Sequence, residues 1–185
     1  KPRVLVKVED AKGETVWEAD APEPEPVIEE GVAYLVTDAL REALVRGTGQ
    51  AVSQAGFRAP AAGKTGTTND GADAWFVGYT PDIVAGVWVG FDKRRPIMAR
   101  ATGGRVAAPV WARLMLRIYQ KRKMPAPWAR PSGVIEGMVD PASGMLLASG
   151  CRPWSGTAYR EVFVRGRAPQ TVCPSRGQPV SLDPW

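Results

Sequence analysis

The stretch AAGKTGTTNDGADAWFVGYTPDIVAGVWVGFD, residues 61–92, carries the strongest structural pattern in the chain. AAGKTGT has small side chains, DAWFVGYT is almost wholly apolar, and DIVAGVWVGFD is rich in β-branched and aromatic residues. Each of these compositions is typical of a strand. A Thr-Pro-Asp turn separates the last two. Because strands joined by tight turns pair antiparallel, we predict a three-stranded antiparallel sheet.

Lys64 lies on the first of these strands among alanines and glycines, which leave room for a ligand to approach the backbone. Thr65 and Thr67 alternate with Gly66, so a regular strand directs their side chains to one face and Lys64 to the other. We therefore expect a twist or bulge to bring all three to one ligand. An ammonium, two hydroxyls and a backbone N–H could bind a carboxylate and stabilise an oxyanion, although a Lys-Thr-Gly triplet alone also suits a surface turn.

The segments on either side predict further regular elements. Residues 2–20 alternate apolar and polar side chains about a glycine-ended turn, which indicates a hairpin, and a Pro/Glu connector follows. Apolar residues at helical spacing predict a helix from about Glu30 to Arg46. A second helix is predicted within residues 108–123, with Pro109 in its first turn and a basic carboxyl end.

The carboxyl-terminal part has a different composition. Residues 124–133 are proline-rich and predict a linker, and residues 134–185 are rich in Gly, Pro and Ser, with strand-like runs at 133–140 and 160–166. We expect a small, largely irregular tail module there. We interpret residues 1–123 as the main portion of the chain, which contains the predicted sheet and both predicted helices.

The composition excludes several kinds of chemistry. The 185 residues contain no histidine, which rules out a Ser-His-Asp triad and histidine metal sites. We expect no metal and no cofactor, and neither a membrane-spanning segment nor a signal peptide within these residues. A net charge of +5 favours acidic partners, but Lys and Arg are scattered, so we interpret the charge as a solvated surface and expect no nucleic-acid binding.

The two cysteines, Cys151 and Cys173, both lie in the carboxyl-terminal quarter. They are too few for a four-cysteine metal site and too far apart for a redox Cys-x-x-Cys motif. A disulfide that closes the loop-rich tail fits them and implies an oxidising compartment, whereas two buried free thiols are the alternative.

Residues 61–92 resemble the third active-site motif and the two following strands of class A penicillin-binding proteins, the peptidoglycan transpeptidases of bacterial cell walls. AYLVTDALREALVRGTGQAV, residues 33–52, is similar to the helix that precedes that motif, and TGGRVAAPVWARLM, residues 102–115, to the family's carboxyl-terminal helix. Cys151 and the run EVFVRGRAPQTVC, residues 161–173, resemble the cysteine-bearing end of some members. The resemblance spans most of residues 1–173.

The resemblance implies an α+β penicillin-binding transpeptidase fold, in which an antiparallel five-stranded sheet is flanked by helices. The strand that carries Lys64 would lie at the edge of the cleft. Lys64 would shape the electrostatic potential and assist proton transfer, and Thr67 would supply a backbone N–H to the oxyanion hole, which makes these two the catalytic candidates. Thr65, Gly66, Thr67 and Thr68 would bind the carboxylate of a stem peptide or a β-lactam. A similar Lys-Thr-Gly element operates beside Ser-x-x-K and Ser-Asp-Asn motifs in related enzymes.

The chain departs from the family in one respect. None of its serines has a lysine three positions on or an asparagine two positions on, so the nucleophile motif and the second motif are both missing. The resemblance therefore implies that the chain is the end of a longer transpeptidase and alone is inactive. Its partners would be stem peptides, β-lactams and the upstream half that carries the serine. It would lie at the extracytoplasmic face of the bacterial membrane, anchored through that half.

Two other functions remain open, a serine β-lactamase-like hydrolase fragment and a non-catalytic module that binds peptidoglycan or a protein. If the chain is the end of a longer transpeptidase, we expect the elements that the upstream half would cover to expose apolar surface. The remaining motif candidates have simpler interpretations. Asp70 and Asp73 suit a turn, and residues 102–104 suit a loop near the cleft or an ordinary turn before a helix. Three tryptophans are interpreted as core: Trp75, Trp88 and Trp111.

Overall fold

A computed structural model describes residues 4–20 and 25–173. Along the chain the strands are β1 (Lys7–Glu9), β2 (Thr15–Glu18), β3 (Ala62–Thr67), β4 (Ala74–Tyr79), β5 (Val84–Val89), β6 (Val134–Val139), β7 (Leu146–Leu147), β8 (Tyr159–Val164) and β9 (Thr171–Val172). The helices are α1 (Glu30–Val45), α2 (Ala51–Gln54) and α3 (Ala108–Tyr119), and a π-helical turn, Gly103–Ala107, leads directly into α3. None of the helices in these described ranges is long and apolar enough to cross a bilayer.

The central sheet has the order β3-β4-β5, and both pairs are antiparallel. The register is uninterrupted, with Lys64 opposite Val77 and Thr67 opposite Ala74. This confirms the predicted three-stranded arrangement. The family resemblance implied five strands, of which the described chain supplies these three. In the described residues the other edge of β3 pairs with no strand, and we call it the open edge.

One face of the sheet forms the hydrophobic core together with α3. Strand β4 alternates sharply, with Ala74, Phe76 and Gly78 buried, because side chains along a strand point to opposite faces. Trp111 of α3 is fully buried, packs edge-on against Phe76 at 5.3 Å between ring centroids, and donates its indole N–H to the carbonyl of Ala85 at 3.0 Å. The indole therefore anchors α3 on the sheet by burial and by a hydrogen bond.

The interpretation of all three tryptophans as core is wrong for two of them. Trp75 and Trp88 are 46% and 44% exposed, and they pack against each other on the face opposite α3. Val77 and Val84 are exposed beside them. An aromatic strand residue predicts a packed position, but only the register decides whether it faces α3 or the other side. The expected exposed apolar surface is present on this face.

Helix α1 runs alongside β3, as its amphipathic pattern predicts, and ends one residue before the predicted Arg46. The hydroxyl of Thr37 in α1 is hydrogen-bonded to that of Tyr79 in β4 at 3.0 Å. The short helix α2 was not predicted. It contributes Val52, which is buried in the same core as Phe57 and Trp111. Helix α1 thus packs against β3, and α2 joins the core.

The described residues of the tail form a sheet of their own, in the order β8-β6-β7-β9. The two strand-like runs of the sequence correspond to β6 and β8, which pair antiparallel, while the two-residue strands β7 and β9 were not predicted. The tail is therefore more regular than its composition suggests. Cys151 and Cys173 are joined by a disulfide, with Cα atoms 5.3 Å apart. Residues 174–185 of the predicted tail module lie outside the described part.

The tail sheet packs against the beginning of α1. A methyl group placed on Gly31 would lie 3.4 Å from Val164 of β8 and 3.6 Å from Val134 of β6, which is ordinary van der Waals contact. On the same side, Trp128 of the linker packs edge-on against Tyr79, with 5.7 Å between ring centroids. The linker and the tail are thus packed on the main portion of the chain.

Two polar clusters stabilise turns within this framework. In the first, the hydroxyl groups of Tyr119 and Thr80 lie 2.6 Å apart, and both donate to the Asp82 carboxylate. Burial and this carboxylate raise the pKa of Tyr119, so the phenol keeps its proton at neutral pH. This cluster ties the end of α3 to the β4–β5 turn.

In the second cluster, the fully buried Asp140 accepts hydrogen bonds from the Ser143 hydroxyl at 2.7 Å and from the N–H groups of Ser143 and Trp154, both at 2.9 Å. Burial acts to raise the pKa of Asp140, but these hydrogen bonds outweigh it and lower the pKa below its ordinary value. The carboxylate thus connects the β6–β7 turn to the loop that holds Cys151.

We predict that Tyr119→Phe lowers the free energy of unfolding by about 1–2 kcal/mol, because it removes a buried hydroxyl and leaves Thr80 and Asp82 with one partner fewer. Urea unfolding at neutral pH measures this. The matched control is Tyr159→Phe on the exposed side of β8, for which a change within about 0.5 kcal/mol is expected. Equal losses in the two variants would contradict the structural role of the cluster.

We predict that Asp140→Asn destabilises the chain by about 2 kcal/mol at pH 7, since an amide cannot accept all three hydrogen bonds. Folding lowers the pKa of Asp140, so the stability that its carboxylate provides is fully present above the pKa of the unfolded chain, about 4. This stability is lost as the pH falls through the lower pKa of the folded chain. The difference between variant and wild type should therefore shrink below about pH 4. Urea unfolding across this range tests it, with the exposed Asp92→Asn as control. A difference independent of pH would refute the ionised role.

Candidate active site

The Lys-Thr-Gly segment lies along the open edge of β3. Lys64 and Thr67 are exposed, and Thr65 and Gly66 are half-buried, so the functional groups are accessible from this edge. The family resemblance placed this strand at the edge of a cleft, and in the described residues it is an edge strand. The position follows from the strand order, because β4 occupies the other side of β3.

Lys64 reaches the face of Thr65 without any distortion of the strand. Its ammonium lies 3.3 Å from the Thr65 hydroxyl and 3.2 Å from the Thr65 carbonyl oxygen. The β3–β4 register contains no shift, so the expected twist or bulge is not needed. The reason is the length of the lysine chain: four methylenes can bend over an open edge, where no neighbouring strand stands in the way.

The direction of the backbone groups follows from the same contacts. The Thr65 carbonyl meets the Lys64 ammonium, so it points away from β4, whereas the N–H of Thr68 is bonded towards the β4 side, to the Asp73 carbonyl at 3.0 Å. In an antiparallel pair, alternate residues direct both N–H and C=O to the same side. The N–H of Thr67 therefore points to the open edge, where a ligand can accept its proton.

The hydroxyl of Thr67 is oriented by a neighbouring loop. It accepts a hydrogen bond from the N–H of Gly103 at 3.0 Å, so its own proton is free to be donated elsewhere. The contact requires glycine at position 103, since a Cβ there would lie 2.1 Å from the Trp75 carbonyl oxygen and 2.6 Å from that of Gly66. Residues 102–104 thus lie against β3 and also begin the turn into α3.

Thr68 is used differently from the other site residues. Its hydroxyl accepts hydrogen bonds from the N–H groups of Ala72 and Asp73, at 3.1 and 2.9 Å, and closes the loop between β3 and β4. Asp70 of this loop forms a two-point ion pair with Arg94, which holds the pKa of that carboxyl well below its usual range. The predicted turn role of the two acids agrees with this geometry.

Two further residues, which the sequence did not single out, line the open space beside β3. The hydroxyl of Thr48, between α1 and α2, lies 2.7 Å from the Thr65 hydroxyl and 3.4 Å from the Lys64 ammonium. Arg105 lies in the π-helical turn and donates to the carbonyl of Arg100 at 2.8 Å. One indication of their importance was present in the sequence: Thr48 lies within residues 33–52 and Arg105 within residues 102–115, and both segments carry the family resemblance.

An open cavity of about 620 Å³ adjoins β3. Its lining includes four threonines and one arginine: Thr48, Thr65, Thr67, Thr102 and Arg105. With Lys64 at the edge, the site presents two cations and several hydroxyls, and among the residues that line the cavity there is no carboxylate. Such a site attracts anions, and hydroxyl and N–H donors suit a carboxylate.

Comparison with known protein families identifies the family of the chain. The family model described as penicillin binding protein transpeptidase domain matches residues 1–116, a range that contains β3, α1 and Thr48. The chain belongs to the penicillin-binding protein transpeptidase family. The family model described as penicillin-binding protein 1A, C-terminal domain, matches residues 130–177. The resemblance to the carboxyl-terminal part of a class A penicillin-binding protein is confirmed.

Individual relatives support the same family assignment. Penicillin-binding protein 1A of Pseudomonas aeruginosa is 39% identical over 163 residues, which cover 88% of this chain and 19% of that protein. Penicillin-binding protein 1A of Aquifex aeolicus is 34% identical over 94% of this chain and 23% of its own length. The chain thus spans about one fifth of the length of these curated relatives.

A crystal structure of penicillin-binding protein 1A from Haemophilus influenzae superimposes with a TM-score of 0.72 at 24% identity, over 92% of this chain and 30% of the other. This similarity confirms the fold, an α+β arrangement of an antiparallel sheet and helices.

We predict that Gly103→Ala lowers the free energy of unfolding by about 2–3 kcal/mol, because a Cβ at this position overlaps the β3–β4 backbone. Thermal or urea unfolding measures the change. Gly133→Ala is the matched control, since nothing lies within 4 Å of a Cβ there, and it should change stability by less than about 0.5 kcal/mol. A tolerated Gly103→Ala would mean that residues 102–104 do not rest on β3.

Proposed function

We propose that this chain is the carboxyl-terminal part of a serine-type peptidoglycan D,D-transpeptidase and supplies the anion-binding side of its active site. The observation that carries the proposal is the grouping at the open edge of β3, where the Lys64 ammonium and the Thr65 hydroxyl lie within 3.3 Å of each other. The outward N–H of Thr67 and the membership in the transpeptidase family support it.

Each site residue has a role in this chemistry. The hydroxyls of Thr65 and Thr67 donate to the terminal carboxylate of a D-Ala-D-Ala stem peptide, or to the carboxylate of a β-lactam, and Gly66 lets the ligand lie close to the strand. The N–H of Thr67 provides one donor of the oxyanion hole. Thr68, expected among the carboxylate ligands, supports this strand end by closing the β3–β4 loop.

The nucleophile comes from a segment that is not within these residues, since none of the serines begins a Ser-x-x-Lys sequence. That serine attacks the carbonyl carbon of the penultimate D-Ala, and its proton passes to a neighbouring base. The base gives this proton to the nitrogen of the terminal D-Ala, which leaves as the free amine. The amine of a second stem peptide then attacks the acyl-enzyme and releases the serine. Lys64 stabilises the negative charge near the reacting carbonyl and assists proton transfer through the adjacent motif.

The exposed face of the central sheet supports a covering upstream part. Trp75, Val77, Val84 and Trp88 are all at least 44% exposed on this face, an apolar surface that a separate soluble chain would bury. We propose that the same protein's upstream half covers it and anchors the protein to the extracytoplasmic face of the membrane. The disulfide between Cys151 and Cys173 supports an oxidising compartment.

We propose a division of the chain into a transpeptidase portion at residues 1–123, a linker at 124–133 and a tail module at 134–185. The matches of two different family models to residues 1–116 and 130–177 support this division. The lack of regular structure between residues 121 and 131 supports a linker at this position.

The alternative is a module of the same ancestry that binds peptidoglycan or a protein and performs no chemistry. The absence of a nucleophile motif from these residues favours it for the isolated chain. The two functions differ in one observable, the formation of a covalent acyl-enzyme.

Intact mass spectrometry after incubation with a fluorescent penicillin distinguishes them. We expect a stoichiometric adduct on the full polypeptide that contains this chain, and no adduct on the 185-residue chain alone. Lys64→Ala in the full polypeptide should slow acylation by about 100-fold or more, because it removes the cation beside the reacting carbonyl.

The matched control is Lys12→Ala, which removes a lysine from the exposed β1–β2 turn and should leave the rate unchanged. Absence of an adduct on the full polypeptide would support the binding module. An adduct whose rate is the same in Lys64→Ala and in wild type would show that these residues do not complete the site.

A further inference from the structure

Thr48 lies in a Gly-Thr-Gly turn that has almost no steric freedom. A Cβ on Gly47 would lie 2.8 Å from the backbone of Ala43, and one on Gly49 would lie 2.7 Å from the Leu44 side chain. A side chain at position 47 therefore requires a shift of the α1 backbone, whereas one at position 49 meets the flexible end of the Leu44 side chain and, at 3.1 Å, the Ala43 carbonyl oxygen. The turn is therefore packed tightly on both sides of Thr48.

Gly104, in the turn before α3, also packs closely against Thr48. A Cβ on Gly104 would lie 2.4 Å from the Thr48 carbonyl oxygen. The loop that orients the Thr67 hydroxyl through Gly103 thus also rests on the backbone of Thr48. The carbonyl of Thr48 is held between the end of α1 and this loop, which fixes the position of its side chain relative to β3.

The side chain itself is directed at the site. Thr48 is exposed, yet its hydroxyl lies 2.7 Å from the Thr65 hydroxyl and 3.4 Å from the Lys64 ammonium, and it lines the cavity beside β3. An exposed hydroxyl contributes little to folding, since water replaces its hydrogen bonds when it is removed. The backbone contacts of Gly47 and Gly104 nevertheless hold this residue in place beside the cavity.

We propose that Thr48 is a positioning residue for the transpeptidase reaction, acting through Lys64 and Thr65, an inference that rests on the proposed function. The ammonium donates to both hydroxyl oxygens, and the Thr48 hydroxyl donates its single proton to Thr65. The proton of Thr65 is then directed to the substrate carboxylate. Without the Thr48 hydroxyl, Thr65 rotates among other staggered positions and loses this orientation.

The test uses the full polypeptide that contains this chain and two probes, a fluorescent penicillin with a free carboxylate and its methyl ester. The variants are Thr48→Val, which keeps the shape and removes the hydroxyl, and Thr48→Ser, which keeps the hydroxyl. Thr37→Val is the matched control, because it also removes a threonine hydrogen bond to a neighbouring hydroxyl, but outside the site. Titration with excess penicillin gives the competent fraction of each variant.

We expect Thr48→Val to lower the second-order acylation rate constant for the acid by about tenfold, the effect of one hydrogen bond to a charged group. The rate for the ester should fall by less than about twofold, since the ester offers no carboxylate to the Thr65 proton. Thr48→Ser should stay within about threefold of wild type, and Thr37→Val should leave the acid-to-ester ratio unchanged. A purely structural role would change the competent fraction and leave this ratio as it is.

Three outcomes are decisive. A fallen acid-to-ester ratio in Thr48→Val, restored in Thr48→Ser, supports the inference. An unchanged ratio in Thr48→Val, together with slow acylation in Lys64→Ala, overturns the role of Thr48 and leaves the proposed function intact. A normal rate in Lys64→Ala contradicts both. If Thr48→Val yields no competent protein, Thr48→Ala gives the same comparison.

Discussion

Hydrogen-bond alternation along β3 is the constraint on which the candidate site depends. The even-numbered residues Lys64, Gly66 and Thr68 direct their backbone groups to β4, and this leaves those of Thr65 and Thr67 to the open edge. A shift of one residue would turn the carbonyl of Thr65 and the N–H of Thr67 into the sheet. The same edge also lets the long side chain of Lys64 reach Thr65, because no strand of the described chain blocks its path.

Close backbone packing of the loop before α3 holds β3 and the turn after α1 in place. Gly103 lies directly on the backbone of β3 and β4, and its N–H holds the hydroxyl of Thr67. Gly104 rests on Thr48, whose hydroxyl touches that of Thr65. Because none of these contacts leaves room for a side chain, the loop before α3 and the turn after α1 are fixed relative to one strand. The polar groups of the site are thereby preorganised, which reduces the entropy that ligand binding costs.

The tail and the central sheet meet through α1. The sheet of β6 to β9 packs on the start of this helix at Gly31, and the turn that carries Thr48 follows its end. A rigid helix of 16 residues thus connects the tail with the site over about 24 Å at 1.5 Å per residue. The disulfide and the buried Asp140 hold the tail loops, so the helix has a defined surface to pack against.

The sequence alone determined the elements with strong local signals: the three central strands, α1, α3 and the hairpin follow from periodicity and turn residues. It also determined Lys64, Thr65 and Thr67 as site candidates, since a lysine among glycines and hydroxyls is unusual enough to carry a resemblance. Local pattern could not place Trp75 and Trp88 on the exposed face, because the pairing register decides which face a strand residue occupies. Nor could it find Thr48, which reaches Thr65 from 17 residues away along the chain, or the contact between Gly103 and Thr67, which are 36 residues apart. Their contacts arise when separate segments pack together, and only the tertiary structure fixes distances between residues that are remote in sequence.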